Sequence, residues 1–135
     1  MRGRNGHRMT FQRMTPQRFE KIAYHALETL PQEFRPFIEA CVLTVEPAAS
    51  DELRRELELE DDEELYGLYE GTALIDRSVN DPPEPPPRVR LFYESLLADC
   101  ETEEELVHEI QVTVLHEIGH HFGLDESDLE KHGYG

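Results

Sequence analysis

Residues 102–123 constrain this chain most, because they read as one long helix that has to be buried. Thr102 is followed by three glutamates, and Glu105, three positions on, completes a capping box with acids at the positive end of the helix dipole. From there Leu106, Val107, Ile110, Val112, Val114, Leu115 and Ile118 leave little of the second half polar. The polar positions of that half include Thr113, His116, Glu117 and His120, which at ~100° per residue fall within one sector. A polar sector on a buried helix has to face a cavity or a metal. Gly123 follows, where a left-handed glycine ends a helix and turns the chain back.

Within that sector residues 116–120 read H-E-I-G-H. Two imidazoles four positions apart share one helix face at a separation of ~6 Å, so they can converge on a zinc ion. Glu117 then lies beside the metal, where a carboxylate can act as general base on an activated water. Gly119 costs roughly 1 kcal/mol against alanine in a helix interior, which implies close approach of another backbone. A zinc site of this kind needs a third protein ligand. The spacing H-E-x-x-H-x-x-G-x-x places it at Glu126, with Asp125 as the alternative, since either carboxylate comes after the turn at Gly123. Only nine residues follow Glu126, which argues against a distant helical glutamate. No methionine follows Met14, so the methionine turn of metzincins is not expected. Among the other histidines, His108 falls on another face and is expected at the surface, while His121 points away from the polar sector. His132 and Tyr134 follow the turn, where a donor can serve an oxyanion.

At 135 residues the chain suits a single domain, expected over residues 15–135 behind a disordered basic tail at residues 1–14. The formal net charge is -17, and it is uneven: residues 1–19 carry five arginines and no acid, leaving 8 basic against 30 acidic residues beyond them. A body this negative repels a phosphate backbone, so no nucleic-acid partner is expected. No stretch has the ~18 apolar residues of a membrane span, and the start lacks the apolar core of a signal peptide, so neither a membrane nor export is expected. Cys41 and Cys100 form no disulfide framework and read as free thiols of a cytoplasmic protein.

The elements before the long helix follow from local chemistry. Thr15 and Pro16 start a helix with an apolar face of Phe19, Ile22, Ala23, Ala26, Leu27 and Leu30, stopped by Pro31. Residues 37–46 have the β-branched content of an inner strand buried on both faces, closed by Pro47. Ser50 caps a short acidic helix or turn, and the acidic run at residues 60–64 reads as solvated surface. Residues 66–71 read as a turn containing Gly71, followed by a short strand at residues 72–76. Five prolines make residues 78–87 an irregular connection. Residues 88–94 alternate Arg88, Arg90 and Phe92 against Val89, Leu91 and Tyr93, as in a half-exposed edge strand on which an extended peptide can lie. The expected class is α+β, a small mixed sheet packed against the N-terminal helix and the buried C-terminal one.

The run H-E-I-G-H-H-F-G-L-D-E at residues 116–126, followed by Asp128, Leu129, Gly133 and Tyr134, resembles the small bacterial minimal-zincin metallopeptidase-like proteins. The segment G-L-Y-E-G at residues 67–71 is similar to that family's central segment. This resemblance implies a compact zincin-like domain in which His116 and His120 bind zinc, Glu117 is catalytic and the acid at position 126 completes the metal set. Many members carry Asp at that last position, where this chain has Glu126. The implied activity is zinc-dependent hydrolysis of peptides or proteins. Two other classes compete with it: an acidic interaction module with a structural or vestigial metal site, and a metal-dependent RNA hydrolase, which the negative body disfavours.

Overall fold

A computed structural model describes residues 14–71, 86–123 and 126–134; the side chains of His120, His121 and Phe122 lie outside that description. Helix α1 (Pro16–Glu28) begins as expected: the Thr15 hydroxyl accepts the Arg18 N–H at 3.1 Å, and Phe19, Ile22, Ala23 and Ala26 form its buried face. A 3-10 turn (Gln32–Phe34) leads into α2 (Arg35–Glu39) and strand β1 (Val42–Glu46). Ser50 caps α3 (Asp51–Glu56) by accepting the Leu53 N–H at 3.1 Å. The acidic loop that follows is solvent-exposed at residues 60–64 and held by Arg54, whose guanidinium donates to the carbonyls of Glu60 at 2.7 Å and Glu63 at 2.9 Å. Strands β2 (Gly67–Glu70) and β3 (Arg88–Phe92) come next, then α4 (Tyr93–Asp99), the long α5 (Glu103–Phe122) and α6 (Glu126–Lys131).

The three strands form one mixed sheet in the order β1-β3-β2, with β3 parallel to β1 and antiparallel to β2. This corrects three expectations. Residues 88–92 form the central strand, not an edge. Their arginines are cross-strand partners rather than edge protection. Arg90 donates to both oxygens of Glu46 on β1, at 2.7 and 2.8 Å, and to Glu70 on β2 at 3.1 Å, while Arg88 reaches Glu70 at 2.7 Å. Second, the expected inner strand at residues 37–46 is shorter and, among the described residues, lies at an edge. Pro36 sits in the first turn of α2 and keeps residues 37–39 helical, and Val42 remains 44% exposed. Third, the segment expected to turn before a strand is itself the strand β2; residues 72–76 lie outside the described residues.

One face of the sheet carries the core. Val89, Leu91 and Tyr69 pack with Phe19, Ile22, Ala23 and Ala26 of α1 and with Leu106, Ile110, Val114 and Ile118 of α5. Gln111 fastens these two helices, its buried amide donating to the Ala26 carbonyl at 2.8 Å and to the Thr29 hydroxyl at 3.0 Å. Arg18 meets Glu103 at 2.7 Å, so α1 and α5 run in the same direction. Cys100 is buried and Cys41 half-buried, both as free thiols; burial pushes Cys100 up to about 12. Among the described residues no helix is long and apolar enough to cross a membrane.

The other face of the sheet depends on Arg90. Its guanidinium holds the Glu46 carboxyl below the usual range, and Arg88 with Arg90 does the same for Glu70. A depressed folded-state pKa stabilises above the unfolded value of about 4.3 and loses that contribution as pH falls through the folded value. Arg90→Met is therefore expected to cost about 1–2 kcal/mol at pH 7, less for the share of the pairs open to solvent. Urea unfolding at pH 7 and below pH 4 checks this: the difference between the two proteins should shrink in acid.

Candidate active site

The motif helix starts and stops where its sequence places the signals. The Thr102 hydroxyl accepts the Glu105 N–H at 3.0 Å, and the Glu105 carboxylate accepts the Thr102 N–H at 3.3 Å. At the other end Gly123 adopts φ 69°, ψ 29° and its N–H reaches the Gly119 carbonyl. A left-handed residue without a Cβ ends the helix there and lets the chain reverse.

Strand β2 lies directly against this helix. A Cβ on Gly67 would stand 2.7 Å from Thr113 Cγ2 and 3.1 Å from the Arg90 carbonyl, so only glycine allows the approach. Two residues along, the Tyr69 N–H donates to Glu117 Oε1 at 2.9 Å. The two contacts keep step because two residues of strand and four of helix both advance ~6 to 7 Å. The direction of the Tyr69 amide follows from the ladder. Phe92 N–H bonds the Tyr66 carbonyl at 2.9 Å, so Tyr66, Leu68 and Glu70 turn their backbone groups to β3, and Gly67 and Tyr69 turn theirs to the outer edge. Glu117, half-buried, is thus anchored at the edge of the sheet.

His116, also half-buried, meets a different element: its Nε2 lies 2.9 Å from the Tyr134 carbonyl. Leu129 of α6 is 2% exposed and packs with Leu115, Leu30 and Phe34, which shows that the chain doubles back along α5 after Gly123. Glu126 stands exposed at the first position of α6. His132 does not serve as a free donor, since Glu33 engages it at 2.9 Å and Phe34 meets it edge-on at 5.3 Å. His108 is exposed, as expected, with the Tyr134 ring stacked on it at 6.0 Å. The side chains of His120 and His121, and Asp125 as a whole, lie outside the described residues. Among the described residues no three His, Cys, Asp or Glu side chains come together as a metal site.

Two contacts of the motif were invisible to a side-chain reading: the Tyr69 amide and the Tyr134 carbonyl. Both are backbone groups, and motif spacing carries no information about them. The nearest signal is the resemblance at residues 67–71, the strand that supplies the amide.

A family model for zincin-like metallopeptidases matches residues 38–134, a span that holds β2, α5 and the returning α6. The chain belongs to the zincin-like metallopeptidase family. No curated protein matches it. Zincin membership carries zinc dependence and peptide or protein substrates as general properties of the family. The donors of this zincin-like chain fit such a metal in kind: a half-buried His116 imidazole stands beside the strand-anchored Glu117, and the carboxylate of Glu126 follows the turn at Gly123 in sequence.

The strand–helix approach in this zincin-like domain gives a direct test. Gly67→Ala is expected to destabilise it by about 1–3 kcal/mol through overpacking. It should also displace Tyr69 from Glu117. Adding Thr113→Ser removes the closest collision, the Thr113 methyl, so the double variant should recover part of the loss in thermal unfolding, the Arg90 carbonyl still standing 3.1 Å from the new Cβ.

Proposed function

We propose that the chain is a zinc-dependent peptidase in which His116 and His120 hold the metal and Glu126, or Asp125, completes the set, with Glu117 as general base. The observation that carries this reading is the bond from the Tyr69 amide to Glu117. It aims the motif's carboxylate at the edge of a strand, where an extended peptide can add. A zinc ion bound there supplies a Lewis acid that activates water and polarises a carbonyl.

The chain's own residues perform the rest. Glu117 accepts the proton of the attacking water on its carboxylate. One bond to Oε1 orients the group without exhausting it, because a carboxylate has about four acceptor sites. The substrate lies along β2 rather than β3, since β3 is paired on both sides. The Gly67 backbone faces that outer edge and aligns the peptide main chain, while side chains of the substrate project alternately to either side. The cytoplasm, with its reducing poise, suits two free cysteines.

Metal content of the purified protein tests this reading. The wild-type chain should carry close to one zinc per molecule, and His116→Ala should lose it by elemental analysis. A fully metallated His116→Ala variant would refute the ligand assignment.

A further inference from the structure

The C-terminal segment makes a contact that bears on metal entry. After α6, Gly133 takes φ 86°, and the Tyr134 N–H returns to the Leu129 carbonyl at 2.8 Å. This turn presents the Tyr134 carbonyl to His116 Nε2 at 2.9 Å. Side chains hold the segment in place. The Tyr134 ring stacks on His108 at 6.0 Å and stands edge-on to Phe34 at 6.3 Å, while His132 pairs with Glu33. A carbonyl oxygen only accepts, so Nε2 carries the proton of this bond. A protonated nitrogen has no lone pair to offer a cation. Nε2 is also the ring nitrogen farthest from the backbone, the one able to converge with a second histidine four positions on; Nδ1 sits beside its own Cβ.

We propose that residues 132–134 form a latch on His116: docking of the Tyr134 carbonyl and ligation of metal through His116 Nε2 exclude one another, so zinc enters only as the segment lets go. The inference rests on His116 being a ligand. Linkage then fixes the direction of the effect, because whatever stabilises the latched form weakens apparent metal affinity by the latched-to-open ratio.

The test uses the full chain and its Tyr134→Ala variant, which keeps the chain length and removes the ring from His108 and Phe34. Zinc affinity is measured by competition with a chromophoric chelator, with circular dichroism confirming the fold. The variant should bind zinc about threefold to tenfold more tightly, the scale of one hydrogen bond and one ring contact. Glu33→Gln, on the exposed side of the His132 pair, should shift affinity the same way by about twofold, and it decides the matter if Tyr134→Ala does not fold. Nuclear magnetic resonance gives a second readout. The metal-free chain should show His116 protonated at Nε2 and through-space contacts between Tyr134 and His108, which zinc should abolish. Zinc bound with those contacts intact and unchanged affinity overturns the latch while leaving the ligand assignment standing. No zinc binding by either folded protein overturns the ligand assignment, and the latch with it, even where the Tyr134–His108 contact persists.

Discussion

Glu117→Gln is expected to lower peptide hydrolysis by at least about a hundredfold and to leave zinc content unchanged. Removing a positioned general base costs typically 10²–10⁴ in rate. The substitution is close to isosteric, and the glutamine side-chain oxygen can still accept the Tyr69 N–H, so the anchoring at the edge of β2 survives. What disappears is the capacity to take a proton from water. The rate at saturating substrate should therefore fall while the substrate concentration for half-maximal rate changes little. Hydrolysis retained by the metallated variant would remove Glu117 from the mechanism. Loss of zinc along with activity would instead make it part of the metal set.

Leu115→Ala should cost about 2–5 kcal/mol, the range for emptying a leucine site in a packed core. Leu115 is fully buried and meets Leu30, Phe34 and Leu129, so one side chain of α5 joins the residue just after α1, the 3-10 turn and the returning α6. A domain of this size should melt roughly 10 °C lower. The loss should also loosen the C-terminal segment, because Leu129 loses its seat against Leu115. Thermal unfolding measures the first effect, and faster amide exchange at residues 129–134 measures the second. A variant that melts as the wild type does would show that the second cluster collapses around the gap.

Much of the fold could be read from local chemistry. Thr15 with Pro16, Thr102 with Glu105, and Gly123 each act through a hydrogen bond or a φ value set within three or four residues, and each marks a real helix end. The buried helix was legible for a similar reason, since its apolar residues outnumber what one exposed face could carry. Strand order was not. Alternation in residues 88–92 reveals a strand with one charged face, yet whether Arg88 and Arg90 meet water or acids depends on Glu46 and Glu70, which lie 44 and 18–20 positions away. The same charges that mark an edge when solvated mark a centre when paired.

By itself, then, the sequence determined the helix carrying His116, Glu117 and His120, its caps, and the acid content after its turn. These depend on short-range geometry, which residue types specify directly. Tertiary structure alone decided what those side chains face: Gly67 admits β2 to the surface of α5, the Tyr69 amide takes Glu117, and the Tyr134 carbonyl takes His116. Every residue except proline carries the same amide and every residue the same carbonyl, so only their placement by packing distinguishes the ones that meet the motif.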